Sequence, residues 1–443
     1  MKHVKLAYNW VGPDGVVPNL INPTIGSLAA VAPKCVIEVA PRNEPHDQLH
    51  RRAVESQKQL GKKTNFSVSA AYYLEPEDTF VVPITLDYLR DFSGYFTTNQ
   101  GVLDAGNFSH HTLDLIKNHN GYILIEKGFE AFIDGHQYAS RMHNYFDSRN
   151  IPRNKVIYAV GAANAPEIYS EWCDEHNISE NNRMKIVRYF PSMENFALDA
   201  YNRKLPEWPY DVNYVPEKKF LSLNWRHRQH RIILGTMFYH LDLLKDSYFS
   251  LSRFEPDGSR EISADPMYLD WSGYTFADFE EFRDAALPLH IDNPNRWERD
   301  IIYDGGQEEQ MFHYYQNSLV SVCTETTFYE RPIACTEKSI KPIKYMHPFI
   351  LVGAKGLLGY LKSLGFQTFD NWWDESYDQD DNYGRRMNSI GEICSEIAEW
   401  DDKKVKQFKK EVYPVLRHNY ELLLSDPISG VYKDIYDYVA GGK

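Results

Sequence analysis

Short apolar runs recur between stretches whose apolar residues fall at helical spacing. The strand-like runs of the first half are Val4 to Ala7, Lys34 to Val39, Phe80 to Thr85, Gly121 to Ile125, Lys155 to Val160 and Met184 to Tyr189. Strands alternating with helices imply βαβ units and a mainly parallel sheet. The stretch from Tyr201 to Lys219 carries Pro206, Pro209 and Pro216 with little periodicity and reads as an extended connector. A second alternating unit opens with Phe220 to Asn224, and Ile232, Ile233, Met237, Leu241 and Leu244 continue it at helical spacing. Further runs follow at Ser318 to Thr324 and Phe349 to Val352. Helical patterns lie at Leu357 to Leu364, around Met387 to Trp400, and at Val405 to Leu424, where Pro414 is expected to interrupt the helix. Residues 254 to 300, rich in Asp, Glu and Pro, read as an irregular insertion with short helices.

The pattern predicts an α/β chain of two Rossmann-like domains facing across a cleft. The first domain spans 1–205 and the second 217–400, and helices over 401–443 are expected to cross back to the first domain. A chain of 443 residues exceeds what one hydrophobic core usually holds. With 43% hydrophobic and 25% charged residues it should fold nearly throughout.

The net charge of −14, carried mostly by the second half, disfavours general attraction to nucleic acid or anionic membranes. A local run, Arg51, Arg52, Lys58, Lys62 and Lys63, is the exception. The five cysteines show neither a C-x-x-C pair nor zinc-ligand spacing, the N-terminus turns polar at once, and no apolar run is long enough to span a bilayer. These features predict a reduced, cytoplasmic protein without a membrane partner.

Candidate chemistry gathers at strand ends, where open α/β sheets bind ligands. Asn224, Arg226, Arg228 and Arg231 follow the first strand of the second domain, where guanidinium groups can meet a diphosphate with paired hydrogen bonds. Thr324 and Glu325 end a later strand, and Thr336-Glu337-Lys338 precede the next. Glu325 and Glu337 suit ribose or sugar hydroxyls, and Lys338 suits phosphate. Thr336 also fits a helix N-cap, which would turn free N–H groups toward the same phosphates. For a general base in the first domain, Asp14 lies in the loop after the first strand and Glu126 directly follows the run ending at Ile125. Asp378-Gln379-Asp380 and His110-His111 with Asp114 lack the context of a metal site, so no metal or other cofactor is expected.

Glu325, then Thr336-Glu337-Lys338, then an apolar strand closing on Gly353 resembles the donor-binding signature of the alpha-1,3-fucosyltransferases, in which Glu-Asn-Ser and Thr-Glu-Lys precede a buried strand. The likeness covers roughly residues 312–360, and Thr326-Thr327 stand where that family has Asn-Ser. The segment from Gly356 to Tyr377 is similar to phage and viral glycosyltransferase-like proteins. The resemblance implies a GT-B glycosyltransferase, a hexosyl- or pentosyltransferase moving a sugar from a nucleotide-diphosphate sugar to a hydroxyl on a glycan or small molecule. One alternative it raises is a phage-type enzyme acting on hydroxymethylated pyrimidines in DNA. Another is a non-catalytic sugar-nucleotide-binding protein.

Overall fold

The computed structural model describes residues 4–8, 66–70, 75–85, 110–127, 138–190, 210–224, 226–255, 258–291, 308–424 and 430–441. The expected strand at Lys34 to Val39, the basic run at 51–63 and Asp14 lie outside them. The chain divides into two compact units: Met1–Leu205 with Asp426–Lys443, and Pro206–Ser425.

Unit 1 is built on a six-stranded parallel sheet in the order β2-β1-β3-β4-β5-β6. Its strands are β1 (Val4–Tyr8), β2 (Phe66–Ala70), β3 (Thr79–Thr85), β4 (Gly121–Lys127), β5 (Val156–Val160) and β6 (Lys185–Arg188). Every residue of β5, Val-Ile-Tyr-Ala-Val, is buried, as a parallel strand covered on both faces requires. Between strands come α1 (His110–Asn118), α2 (Tyr138–Ser148) and α3 (Ala165–Glu175). In α3, Pro166 follows the first helical residue, and Ala165, Ile168, Tyr169, Trp172 and Cys173 form one buried stripe.

Unit 2 carries a four-stranded parallel sheet in the order β10-β9-β7-β8. Its strands are β7 (Lys218–Leu223), β8 (Ser247–Ser250), β9 (Ser318–Thr324) and β10 (Phe349–Val352). The helix after β7, α4 (Gln229–His240), is buried without a break from His230 to Phe238. Two helices from the expected irregular region cover it: α5 (Pro266–Trp271) and α6 (Phe276–Ala286), the latter started by a Thr275/Asp278 capping box and burying Phe279 and Phe282. After them come α7 (Glu308–Gln316), α8 (Glu337–Lys344), α9 (Leu357–Ser363), α10 (Tyr383–Ala398) and α11 (Asp402–Leu424).

Pro414 does not interrupt α11, which runs through it as a single helix. Its packing fixes the helix on both sides of the proline: Val405, Phe408 and Val412 are buried before it, and Leu416, Asn419 and Leu423 after it. The Asn419 side chain donates to the Gln367 carbonyl and accepts from the Gln367 N–H, both at 2.8 Å, so α11 belongs to unit 2. The last helix, α12 (Gly430–Ala440), belongs to unit 1: Tyr438 packs edge-on to Tyr122 and donates its hydroxyl to the Asn154 carbonyl at 2.7 Å.

Both units are Rossmann-like, with parallel strands linked through helices. Among the described residues, no helix is long and apolar enough to cross a membrane.

Candidate functional site

Chain order reverses in the sheet of unit 2 between β7 and β9, because β7 leads outward to β8 while β9 and β10 lie on its other side. Loops leaving the two strands therefore diverge, and ligands of open α/β sheets collect at such a switch point. Asn224 and Thr324 stand there. Both are buried, and the Thr324 hydroxyl donates to Asn224 Oδ1 at 2.6 Å. Asn224 Nδ2 donates in turn to the Ser222 hydroxyl at 3.1 Å, and the Ser250 hydroxyl accepts from its backbone N–H at 3.0 Å. The strand ends of β7, β8 and β9 are thus tied together by side chains.

α4 begins at this seam with Arg228 as its extended N-cap residue. Arg231 is buried, and its guanidinium donates to the carbonyls of Arg226, Thr324 and Glu325. His230, also buried, lies 2.9 Å from the Glu325 carbonyl through Nε2 and stacks on Phe328. Burial, with Arg231 beside it, pushes the His230 pKa well below its ordinary value, so the ring stays neutral. Of the cations expected here, Arg226 is exposed and Arg228 half-buried, whereas Arg231 is committed to the backbone at the end of β9.

Glu325 is fully buried, and its carboxylate meets donors from its own neighbourhood. Oε1 accepts from the backbone N–H groups of Thr336 and Ser339 and from the Ser339 hydroxyl. Oε2 accepts from the Thr326 N–H and the Thr336 hydroxyl. The carboxylate therefore sits on the N-terminus of α8, where a negative charge complements the helix dipole. Thr336 is the N-cap of that helix, its hydroxyl accepting from the Lys338 N–H at 3.4 Å. Lys338 Nζ lies 2.6 Å from Glu337 Oε1, and both side chains remain about a quarter exposed. Burial alone would raise the Glu337 carboxyl, but the ammonium groups of Lys338 and Lys341 outweigh it and hold the pKa at about 2.

A cavity of about 440 Å³ opens at the start of α4, on the β8 side of the sheet. His227, Gln229, Ile232, Arg260, Ser263 and Pro266 line it. The Gln229 amide ties its walls together, donating to the Ser263 carbonyl at 3.3 Å and accepting from the Asp265 N–H at 2.8 Å.

The structure thus brings Asn224, Arg231, Thr324 and Glu325 into one hydrogen-bonded frame and joins Thr336 and Lys338 to it through Glu325 and α8. Glu126 occupies the penultimate position of β4, paired with Thr85 and Ala159 in unit 1. Sequence reasoning did not single out His230 or Arg386 for this frame. The buried Arg386 guanidinium stacks 4.4 Å from the Phe328 ring and donates to the carbonyls of Phe328 and Gly353, joining α10 to the turn after β10. Its sequence signal was faint: one cation on the same helical face as Met387 and Ile390. Asp378, from the Asp-x-Asp run, caps α9 by accepting from the N–H groups of Leu358 and Gly359. Among the described residues no group of His, Cys, Asp and Glu could hold a metal ion.

No protein-family model matches the chain, and comparison with curated proteins finds no match. Solved structures resemble it along their whole length at low similarity. A trehalose 6-phosphate synthase from Burkholderia multivorans matches at 10% identity and a TM-score of 0.40, covering 100% of this chain and 99% of that one. The trehalose-6-phosphate synthase OtsA matches at 8% and 0.42, covering 99% of each. The S. aureus MnaA–UDP complex matches at 10% and 0.34, covering 100% and 98%. A likeness at this level carries no statement of activity.

Proposed function

We propose that the protein is a GT-B-type glycosyltransferase that moves a sugar from a nucleotide-diphosphate sugar to a hydroxyl acceptor. The observation that carries this reading is the frame at the switch point of unit 2. The starts of α4 and α8 are bound to one strand end, β9, through Arg231 and Glu325, with Arg228 and Lys338 partly exposed beside them. The start of α4 offers N–H groups that the helix itself does not use, whereas those of Thr336, Lys338 and Ser339 at the start of α8 are taken by Glu325 and Thr336; with the two cations, the start of α4 suits a diphosphate and stabilises it as it leaves. Holding such groups on a hydrogen-bonded frame lowers the cost of organising them for reaction. In this reading Asn224, Thr324, Thr336 and Glu325 shape the pocket, Glu337 meets a sugar or ribose hydroxyl, and Arg226 adds a third cation. A carboxylate of unit 1, Glu126 or Asp14, takes the acceptor proton, and no metal or other cofactor takes part.

A panel of sugar nucleotides tests the proposal by thermal shift and by release of nucleoside diphosphate. At least one donor is expected to raise the melting temperature and be hydrolysed slowly, with undiminished turnover in chelator. Absence of binding across the panel overturns the donor site. Saturable binding with no sugar release favours a non-catalytic binding protein. Labelled transfer onto glycans, small alcohols and hydroxymethylated DNA then identifies the acceptor.

A further inference from the structure

The chain enters unit 2 through the connector ahead of β7 and leaves it through α11, and the two are fastened together. Tyr210 stacks on Tyr413 of α11, with ring centroids 5.4 Å apart and planes 23° apart. The Tyr214 hydroxyl donates to Asn317 Oδ1 just after α7, and the Tyr248 hydroxyl of β8 donates to Glu217 at 3.0 Å. Apolar burial adds little, for among Asp211 to Glu217 only Pro216 is buried.

Lys409 meets the connector from α11 and is 7% exposed. Its Nζ donates to the Tyr214 carbonyl at 2.8 Å and lies 5.1 Å from the centre of the Tyr210 ring and 5.3 Å from that of Tyr214. Among the described residues it has no ion-pair partner, so an ammonium with three N–H groups meets a single carbonyl. Asp211 attracts it without pairing. The other titratable groups facing it are the Tyr210 and Tyr214 phenols and His347 ahead of β10, and α8, packed against α11, brings the buried Lys344. Burial outweighs Asp211 and lowers the Lys409 pKa to about 8. His347 is neutral in that range, and burial raises the Tyr210 phenol well above it.

We infer that Tyr210 to Glu217 form a strap that lifts off α11 as a unit while the sheet of unit 2 stays folded, and that the buried Lys409 ammonium favours the lifted state. A cation with one hydrogen bond is better solvated in water than between two rings. Lifting gives up one ring stack and a few side-chain hydrogen bonds, and segments so lightly attached open before the core does. β7 begins only at Lys218, so no ladder bond of the sheet is broken. The lifted strap adds the seven residues from Asp211 to Glu217 to the chain that links the units, up to roughly 25 Å when extended. Once lifted, Lys409 holds its proton up to its ordinary value, whereas docked it loses it near 8, so the lifted state binds more protons between those values. Lifting is therefore favoured at pH 7 and suppressed as the pH rises.

The test is limited chymotrypsin cleavage of the full chain after Tyr210 and Tyr214, read by mass spectrometry from pH 7 to pH 9, each rate divided by that of a peptide with the same sequence. With opening faster than cutting, the ratio follows the lifted population. Cleavage there is expected while β7 to β10 remain intact, and the ratio should fall about tenfold over the range. Lys409→Met should be cut more slowly than the wild type at pH 7, with no pH dependence. Tyr413→Ala, which removes the ring stack and leaves the ammonium, should be cut faster with the fall retained, and it decides the matter if the lysine variant does not fold. Cleavage that appears only together with loss of the sheet, a ratio flat from pH 7 to pH 9, or faster cutting of Lys409→Met would each overturn the inference.

Discussion

At the scale of single residues, the frame at the switch point separates side chains that hold the fold from side chains available to a ligand. Glu325 accepts five hydrogen bonds and is fully buried, so replacing it leaves donors of α8 facing a poorer acceptor. Glu325→Gln is expected to cost about 2–3 kcal/mol in urea unfolding, since the amide removes the charge and turns an NH₂ group toward other donors. A donor-binding role alone would instead raise the donor KM with stability intact, and that outcome would move Glu325 into the ligand site. Lys338 is the opposite case. Its ammonium is only about a quarter exposed and helps to hold the Glu337 carboxyl ionised, so Lys338→Ala should lower stability at pH 7 by about 1 kcal/mol while raising the donor KM about tenfold or more. Unchanged kinetics would remove the phosphate role. The difference between these residues was not legible in the sequence, where Glu325, after one strand, and Lys338, ahead of the next, are equally polar. Which of them is buried depends on α8 turning its N-terminus onto β9, a contact between distant segments.

At the scale of elements, the chain relies on close helix approach at glycines. A Cβ on Gly384 would lie 1.6 Å from the Trp271 carbonyl oxygen, so the start of α10 fits against the end of α5 only without a side chain. Gly384→Ala should therefore destabilise unit 2 by about 2–3 kcal/mol or more, read as a lower urea midpoint, because backbone and not a flexible side chain must give way. A midpoint within experimental scatter of the wild type would mean the two helices separate freely. Hydrophobic periodicity carried most of the elements: β1, β3 to β7, β9 and β10 fall on runs read from the sequence, and β5, β9 and β10 are buried along nearly their whole length, as parallel strands covered on both faces must be. It missed β8, Ser-Tyr-Phe-Ser, because only Phe249 and Ser250 are buried and its register comes from pairing with β7. β2, Phe-Ser-Val-Ser-Ala, was missed too, a short strand whose register comes from pairing with β1. Local chemistry also misled at Pro414, where packing by Phe408, Val412 and Leu416 outweighs the lost hydrogen bond.

At the scale of the whole molecule, each unit carries a buried histidine that folding keeps neutral. In unit 1, His143 lies 2.8 Å from the Tyr169 hydroxyl and edge-on to Trp172, and burial, reinforced by Arg153, lowers its pKa to about 4. In unit 2, His347 is held by the Ser318 carbonyl and the Ser321 hydroxyl, and burial lowers its pKa to about 4 as well. The unfolded chain takes up these protons near pH 6.5 and the folded chain only near 4, so between those values the unfolded state binds more protons and stability falls with the pH. Each histidine withdraws on the order of 3 kcal/mol once the pH reaches its folded value. Glu337 acts in a lower window, its contribution being present above about 4.5 and lost toward its folded value of about 2. Urea unfolding followed from pH 7 to pH 4.5 should therefore show stability declining above the window in which Glu337 acts. In His347→Gln the slope of that decline should be shallower whatever the absolute stability of the variant, because slope counts protons and not contacts. A stability profile flat over this range would mean that the histidines titrate normally in the folded chain, and the tight packing of β9 against His347 would then be wrong.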